Sequence, residues 1–288
     1  MRLSQSTIGA IVDLEERKMK LRILAALVLV PLLLVIVFIA PKLVAVLTIG
    51  LICAMSVYEL LWSTGILRLP RLVIYTAIIA FLMPVWCFYN QDPIWGRLGA
   101  LGFFSILFVE ILLSKGNLKL ERVSLCFLSG LLIPYMFSAL VRILDNNQGR
   151  LFLFIPFVAA FCSDSGAYFV GIAWGKHKLA PVISPNKSVE GMFGGFVFSA
   201  LGMVIYTLII SSVTKLEANY LYAVIYGVLG ALAGVFGDLC FSAIKRQTGI
   251  KDYGCVIPGH GGILDRFDSV VTVAPLMELL LLLLPIVE

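Results

Sequence analysis

Charge is what this chain has least of. Only 14% of its 288 residues are Asp, Glu, Lys or Arg, against about 25% in an ordinary soluble domain. Histidine occurs twice, which excludes a His-rich metal site. The six cysteines (Cys53, Cys87, Cys126, Cys162, Cys240 and Cys255) show no CxxC spacing, and most lie inside apolar runs. They read as small buried apolar residues, so neither a zinc site nor a disulfide frame is expected. No GK[ST] triplet is present, which excludes a Walker-type phosphate loop. What is abundant is apolar: 60% of residues are hydrophobic and the mean hydropathy is +1.02. A globule of this size cannot hide so much apolar surface from water. The expected class is therefore an all-α, polytopic integral membrane protein.

A bilayer core takes about 20 apolar residues per helix. Nine such stretches stand out, at roughly 21–40, 42–62, 71–89, 94–114, 122–141, 151–174, 190–212, 219–244 and 267–287. Turn and charge clusters such as Pro41-Lys42, Asn90-Gln91-Asp92-Pro93 and Asp145-Asn146-Asn147 separate them. The first stretch is too long for a signal-peptide core and reads as a retained anchor. Basic residues are lopsided: 17 fall in the N-terminal tail and the even-numbered loops, and five on the other side. The positive-inside rule then puts the N-terminus in the cytosol and the C-terminus outside. Three regions are expected: a cytosolic segment 1–20, about five helices over 21–150, and a catalytic region of about four helices over 151–288. The last carries cytosolic loops at 175–189 and 245–266. Residues 11–22 form either an interfacial helix or a plain basic cluster that sets orientation.

The first 150 residues offer little chemistry; Glu59 and Glu110 lie near span ends and read as interfacial residues in structural roles. Polar groups gather beyond Phe161. Asp164, in Ser163-Asp164-Ser165-Gly166-Ala167-Tyr168, sits about 20 Å into its span. A carboxyl at that depth needs a polar cavity or a partner, so it either serves a site or ties two helices together. In Ser184-Pro185-Asn186-Lys187-Ser188-Val189-Glu190-Gly191, Ser188 is placed to cap the next helix. Free amides at such a terminus attract anions, and Lys187 adds a charge suited to phosphate. Asp238, Ser242 and Lys245 fall at i, i+4 and i+7, on one helical face. Finally, a glycine-rich stretch from Lys251-Asp252 to His260-Gly261-Gly262 leads into Asp265-Arg266-Phe267-Asp268, where Asp265 and Asp268 share a face. Carboxylates with lysines and glycines favour a hard, oxygen-loving cation such as Mg²⁺ over zinc. The residues alone thus point to a cytosol-facing, metal-assisted phosphate site on membrane helices. The GxxxG pairs Gly191/Gly195 and Gly230/Gly234 mark close helix packing, within a protomer or across a homodimer.

Ser242-Ala-Ile-Lys245-Arg246, then Lys251-Asp252, Gly254, Pro258, His260-Gly261-Gly262 and Asp265-Arg266-Phe267-Asp268 resemble the signature of the phosphatidate cytidylyltransferase (CDP-diacylglycerol synthase) family. The Ser163–Tyr168 and Ser184–Gly191 segments resemble the family's other polar segments, with Asn186 where many relatives have a second Lys. The resemblance implies that CTP and phosphatidate give CDP-diacylglycerol and pyrophosphate, with Mg²⁺ required. The short chain suggests a bacterial cytoplasmic membrane, with an organelle as the alternative. No nucleic acid is implied. The resemblance gives Asp238 and Asp265 to the metal, with Asp268 as a further metal ligand or an anchor behind the ligands, and two-metal logic allows a second cation. Lys245, Arg246, Lys251 and Arg266 are implied on the substrate phosphates. His260, Gly261 and Gly262 would line the triphosphate; Ser184, Lys187, Ser188 and Ser242 would help hold substrate; Asp164 would close the cavity from within the membrane. Two other readings are a CTP-dependent polyprenol or phytol kinase and an ion-coupled transporter. The first releases CDP instead of pyrophosphate. The second needs a polar path through the whole bilayer, and the polar residues cluster in one half.

Overall fold

The computed structural model describes residues 27, 31–89, 92–115, 117–254, 256 and 261–287. It is mostly helical. Among the described residues, seven helices are long and apolar enough to cross a membrane. They are α1 (Lys42–Ser63), α2 (Pro70–Tyr89), α3 (Pro93–Leu113), α4 (Leu120–Asp145), α5 (Gly149–Trp174), α6 (Val189–Thr214) and α7 (Tyr220–Gln247). They coincide with seven of the nine stretches expected from hydropathy. Of the first expected stretch, 21–40, residues 27 and 31–40 are described and 31–38 are helical; the tail 1–20 and the basic cluster 11–22 lie outside the described residues. The last corresponds to α8 (Leu264–Leu283), whose first five residues include Asp265, Arg266 and Asp268.

One element departs from an all-helical fold. The loop before α6 folds into an antiparallel hairpin, β1 (Lys178–Ala180) and β2 (Ser184–Ser188), with Lys178 opposite Ser188. Pro181 begins its turn. Pro185 is tolerated inside β2 because both strands of a two-stranded sheet are edges. Two π turns also interrupt regular helix. Leu128–Leu132 precedes Pro134, whose missing N–H cannot continue the ladder. Glu59–Ser63 ends α1.

Glycines set how closely the later helices approach. A Cβ on Gly191 would come 2.8 Å from the Ala167 carbonyl oxygen, and one on Gly195 3.0 Å from that of Ser163. This seam draws α6 onto α5. Gly230 meets Met277 of α8 and Ala159 of α5 in the same way, at 2.5 and 2.8 Å. Both GxxxG pairs therefore pack inside one chain. Helix α8 also joins the two halves. Phe267 rests on Phe137 of α4 and Phe157 of α5, with ring centroids 6.2 and 6.3 Å apart. Near the other end of α8, Arg142 makes a two-pronged pair with Glu278 at 2.5 and 2.8 Å, and its guanidinium covers the Tyr135 ring at 4.9 Å. Helix α3 is the outlier: of its residues only Phe103 and Leu107 are buried.

Candidate active site

The longest helix delivers the first polar face. Helix α7 has 28 residues, so it rises about 42 Å, more than a hydrocarbon core of about 30 Å. Asp238 comes roughly 27 Å along it and Lys245 roughly 38 Å. The expected face is real. Ser242 Oγ donates to Asp238 Oδ1 at 3.0 Å, and Lys245 Nζ reaches Asp265 Oδ1 of α8 at 2.8 Å. The other Asp238 oxygen is held by the Lys187 ammonium from β2. One helical face thus connects two segments that are far apart in the chain.

Asp265 is the most enclosed of these carboxylates, with its side chain 5% exposed. Its Oδ2 accepts the backbone N–H of Tyr253 at 2.7 Å and that of Gly262 at 3.0 Å. Gly261 enters this turn with φ +85°, a conformation that suits glycine alone. Tyr253 packs underneath: its hydroxyl donates to the Phe241 carbonyl at 2.8 Å, and the Lys245 ammonium lies 5.3 Å from its ring centre. Burial and the nearby Asp265 and Asp268 push the Tyr253 hydroxyl above the ordinary phenol range. The hydroxyl's visible task is donation to that carbonyl.

Asp164, Asp238 and Asp268 interact electrostatically across α5, α7 and α8, with Lys187 beside Asp164 and Lys245 beside Asp268. Asp268 is buried, and its Oδ1 accepts the N–H of Ser269 at 2.8 Å. Asp164 opens into a cavity of about 200 Å³ that Tyr168, Asn186, Lys187 and Ser188 also line. Ser188 caps α6 as expected, accepting the N–H of Gly191 at 3.1 Å. Among the described residues, no three His, Cys, Asp or Glu side chains are arranged around one metal position.

The remaining expected residues are spread around this centre. Arg246 is exposed and donates through Nε to the Ile183 carbonyl at 3.1 Å, tying the hairpin to the end of α7. Ser184 opens β2, opposite Ala180, and is not part of the cavity wall. Lys251 and Arg266 are exposed at either end of the glycine-rich stretch. His260, with Pro258 and Gly259, lies outside the described residues.

Two participants escaped sequence reasoning. Glu190 accepts the backbone N–H groups of Lys176 (3.1 Å) and His177 (3.2 Å), and it meets the His177 ring at 2.6 Å, which fixes the start of the hairpin. Glu59 is no interfacial bystander: it is 1% exposed and accepts the N–H groups of Ile263 and Leu264 at 3.0 and 2.8 Å. The available signal was a single carboxylate in the apolar run Tyr58-Glu59-Leu60-Leu61. Glu110, by contrast, sits in a loose pair with the exposed Arg71 at 3.6 Å.

With this geometry in view, the similarity to known proteins becomes specific. The sequence model of the cytidylyltransferase family matches residues 20–284. A phosphatidate cytidylyltransferase of Bacillus subtilis is 36% identical over 276 residues, 94% of this chain and 99% of the relative. The enzyme of the same name from Staphylococcus epidermidis is 34% identical over 75% of this chain and 80% of its own. That from Staphylococcus saprophyticus is 37% identical over 62% and 66%. Similarity of this extent reaches from the apolar first half through every polar segment described above, and the chain belongs to the phosphatidate cytidylyltransferase family.

Proposed function

We propose that this protein converts CTP and phosphatidate to CDP-diacylglycerol and pyrophosphate at the face formed by α5, α7, α8 and the hairpin. The observation that carries the reading is the pair of interlocked contacts, Lys187 on Asp238 and Lys245 on Asp265, beside the cavity of Asp164. Two ammonium groups suit phosphates, and a group of carboxylates suits a cation that travels with a triphosphate.

The donor set fits Mg²⁺. All of it is hard oxygen, and Asp238 and Asp265 each already hold a cationic partner in the form of a lysine ammonium. Asp238, Asp265 and Asp268 are not gathered around one position among the described residues, so to hold the ion they would exchange their lysine partners for it as substrate phosphates draw those lysines away. When bound, it supplies charge neutralisation on the triphosphate. The chain's own groups position the reactants. Lys187 and the capped α6 terminus at Ser188 take the nucleotide phosphates, and Lys245, Arg246, Lys251 and Arg266 serve the two substrates' anionic groups. A phosphatidate oxygen then forms a bond to the α-phosphorus of CTP while the bond to the β-phosphate oxygen breaks and pyrophosphate leaves. No protein nucleophile is needed, because positioning and charge neutralisation carry the barrier.

The same reading sets the site at the cytosolic headgroups of a bacterial cytoplasmic membrane. The basic residues of loops 175–189 and 245–266 meet at one end of the fold, and the positive-inside rule directs that end inward. The test uses CTP labelled at either the α- or the γ-phosphate, with phosphatidate in detergent, with and without Mg²⁺. Lipid-soluble α-label is expected only with Mg²⁺, and the lipid should stay free of label from γ-labelled CTP in both conditions. Transfer of γ-label to lipid would instead identify a kinase.

A further inference from the structure

Three consecutive backbone N–H groups at the entry to α8 are divided between two carboxylates. Gly262 donates to Asp265, while Ile263 and Leu264 donate to Glu59. Glu59 arrives from the π turn that ends α1, some two hundred residues earlier, and it uses one oxygen for each amide. The contact places a negative charge at the start of α8, where unpaired amides and the helix dipole favour it. Gly254 and Gly262 flank the same group. A Cβ on Gly254 would lie 2.6 Å from Glu59 Oε1, and one on Gly262 would lie 2.5 Å from Oε2. A side chain at either position would push directly on the carboxylate.

We infer that Glu59 is a positioning residue for Asp265: it clamps the junction between the glycine-rich stretch and α8, and so fixes the carboxylate that the next amide binds. It acts through the backbone. The inference rests on the proposed function only for the choice of reaction to assay. A carboxylate is required because two donors need two acceptors; a Gln would turn an NH₂ group onto one of them.

The test is Glu59→Gln in the full chain in detergent, followed by rate measurement, melting and amide exchange. The expected result is a kcat lower by about 10- to 100-fold, with KM for phosphatidate changed by less than about twofold. Amide exchange should accelerate over 252–268 alone. Glu59→Asp, which keeps both acceptor oxygens, should recover part of the rate. Should Glu59→Gln fail to fold, Gly254→Ala presses on the same carboxylate from the loop side and should give the same local exchange and rate loss. Native kcat in the variant that folds, or faster exchange spread evenly over all helices, would overturn the inference. If the wild-type chain makes no lipid-soluble nucleotide, the functional reading fails separately. The exchange comparison then decides the inference by itself.

Discussion

The two halves of this molecule solve different problems with the same kind of helix. Helices α1 to α4 bury large aliphatic and aromatic side chains such as Leu60, Leu72, Phe103 and Phe137. Helices α5 to α8 approach through glycine, alanine and serine, and use the resulting closeness to face acidic groups toward one another. In lipid, apolar burial gives little drive for association, and close van der Waals contact and hydrogen bonds decide it. The later half is built by those rules, and its polar groups are held against a backbone that cannot easily yield. The earlier half serves as a scaffold, and beside apolar contacts such as Phe137 on Phe267 it gives α8 two charged anchors, Glu59 at one end and Arg142 at the other.

If that division holds, damage should separate by region. The largest effect is expected from Asp265→Asn, which removes charge opposite Lys245 and perturbs the carboxyl that organises Tyr253 and Gly262. Formation of CDP-diacylglycerol should fall by about 100-fold or more. A purified variant turning over near the native rate would place Asp265 outside the site. Next comes Arg142→Ala. It leaves Glu278 without its partner between the halves and should cost about 1–3 kcal/mol of stability, seen as a lower melting temperature. Turnover of the folded variant at moderate temperature should stay close to native; a selective loss of kcat would mean that the far end of α8 also shapes the chemistry. The smallest effect belongs to Arg71→Ala. Its partner Glu110 is 3.6 Å away and the Arg71 side chain is 70% exposed, so stability should change by about 0.5 kcal/mol or less. A loss above about 1 kcal/mol would show that α3 is anchored more firmly than its sparse packing indicates.

Much of this was legible along the chain because the relevant information is local. Helical period puts Asp238, Ser242 and Lys245 on one side, and the contacts of Ser242 and Lys245 follow from it. The cap at Ser188 and the small-residue seams are equally local. The hairpin was less visible. Its five-residue strand holds a proline, and a two-stranded ladder leaves no apolar alternation to read. Glu59 was misjudged for a different reason. Its partners are backbone amides about 200 residues away, and an amide has no letter in a sequence. Asp265 was recognised as an anion for the site, but not as the acceptor that shapes the loop before it.

The length of α7 has a further meaning for the protein in its bilayer. Because Asp238 rides on one continuous helix, its height above the mid-plane depends on where the apolar turns of that rod come to rest. A rod that outreaches a hydrocarbon core of about 30 Å must either tilt or stand about two turns clear of it, and Ser242 and Lys245 lie in the final turns of that rod.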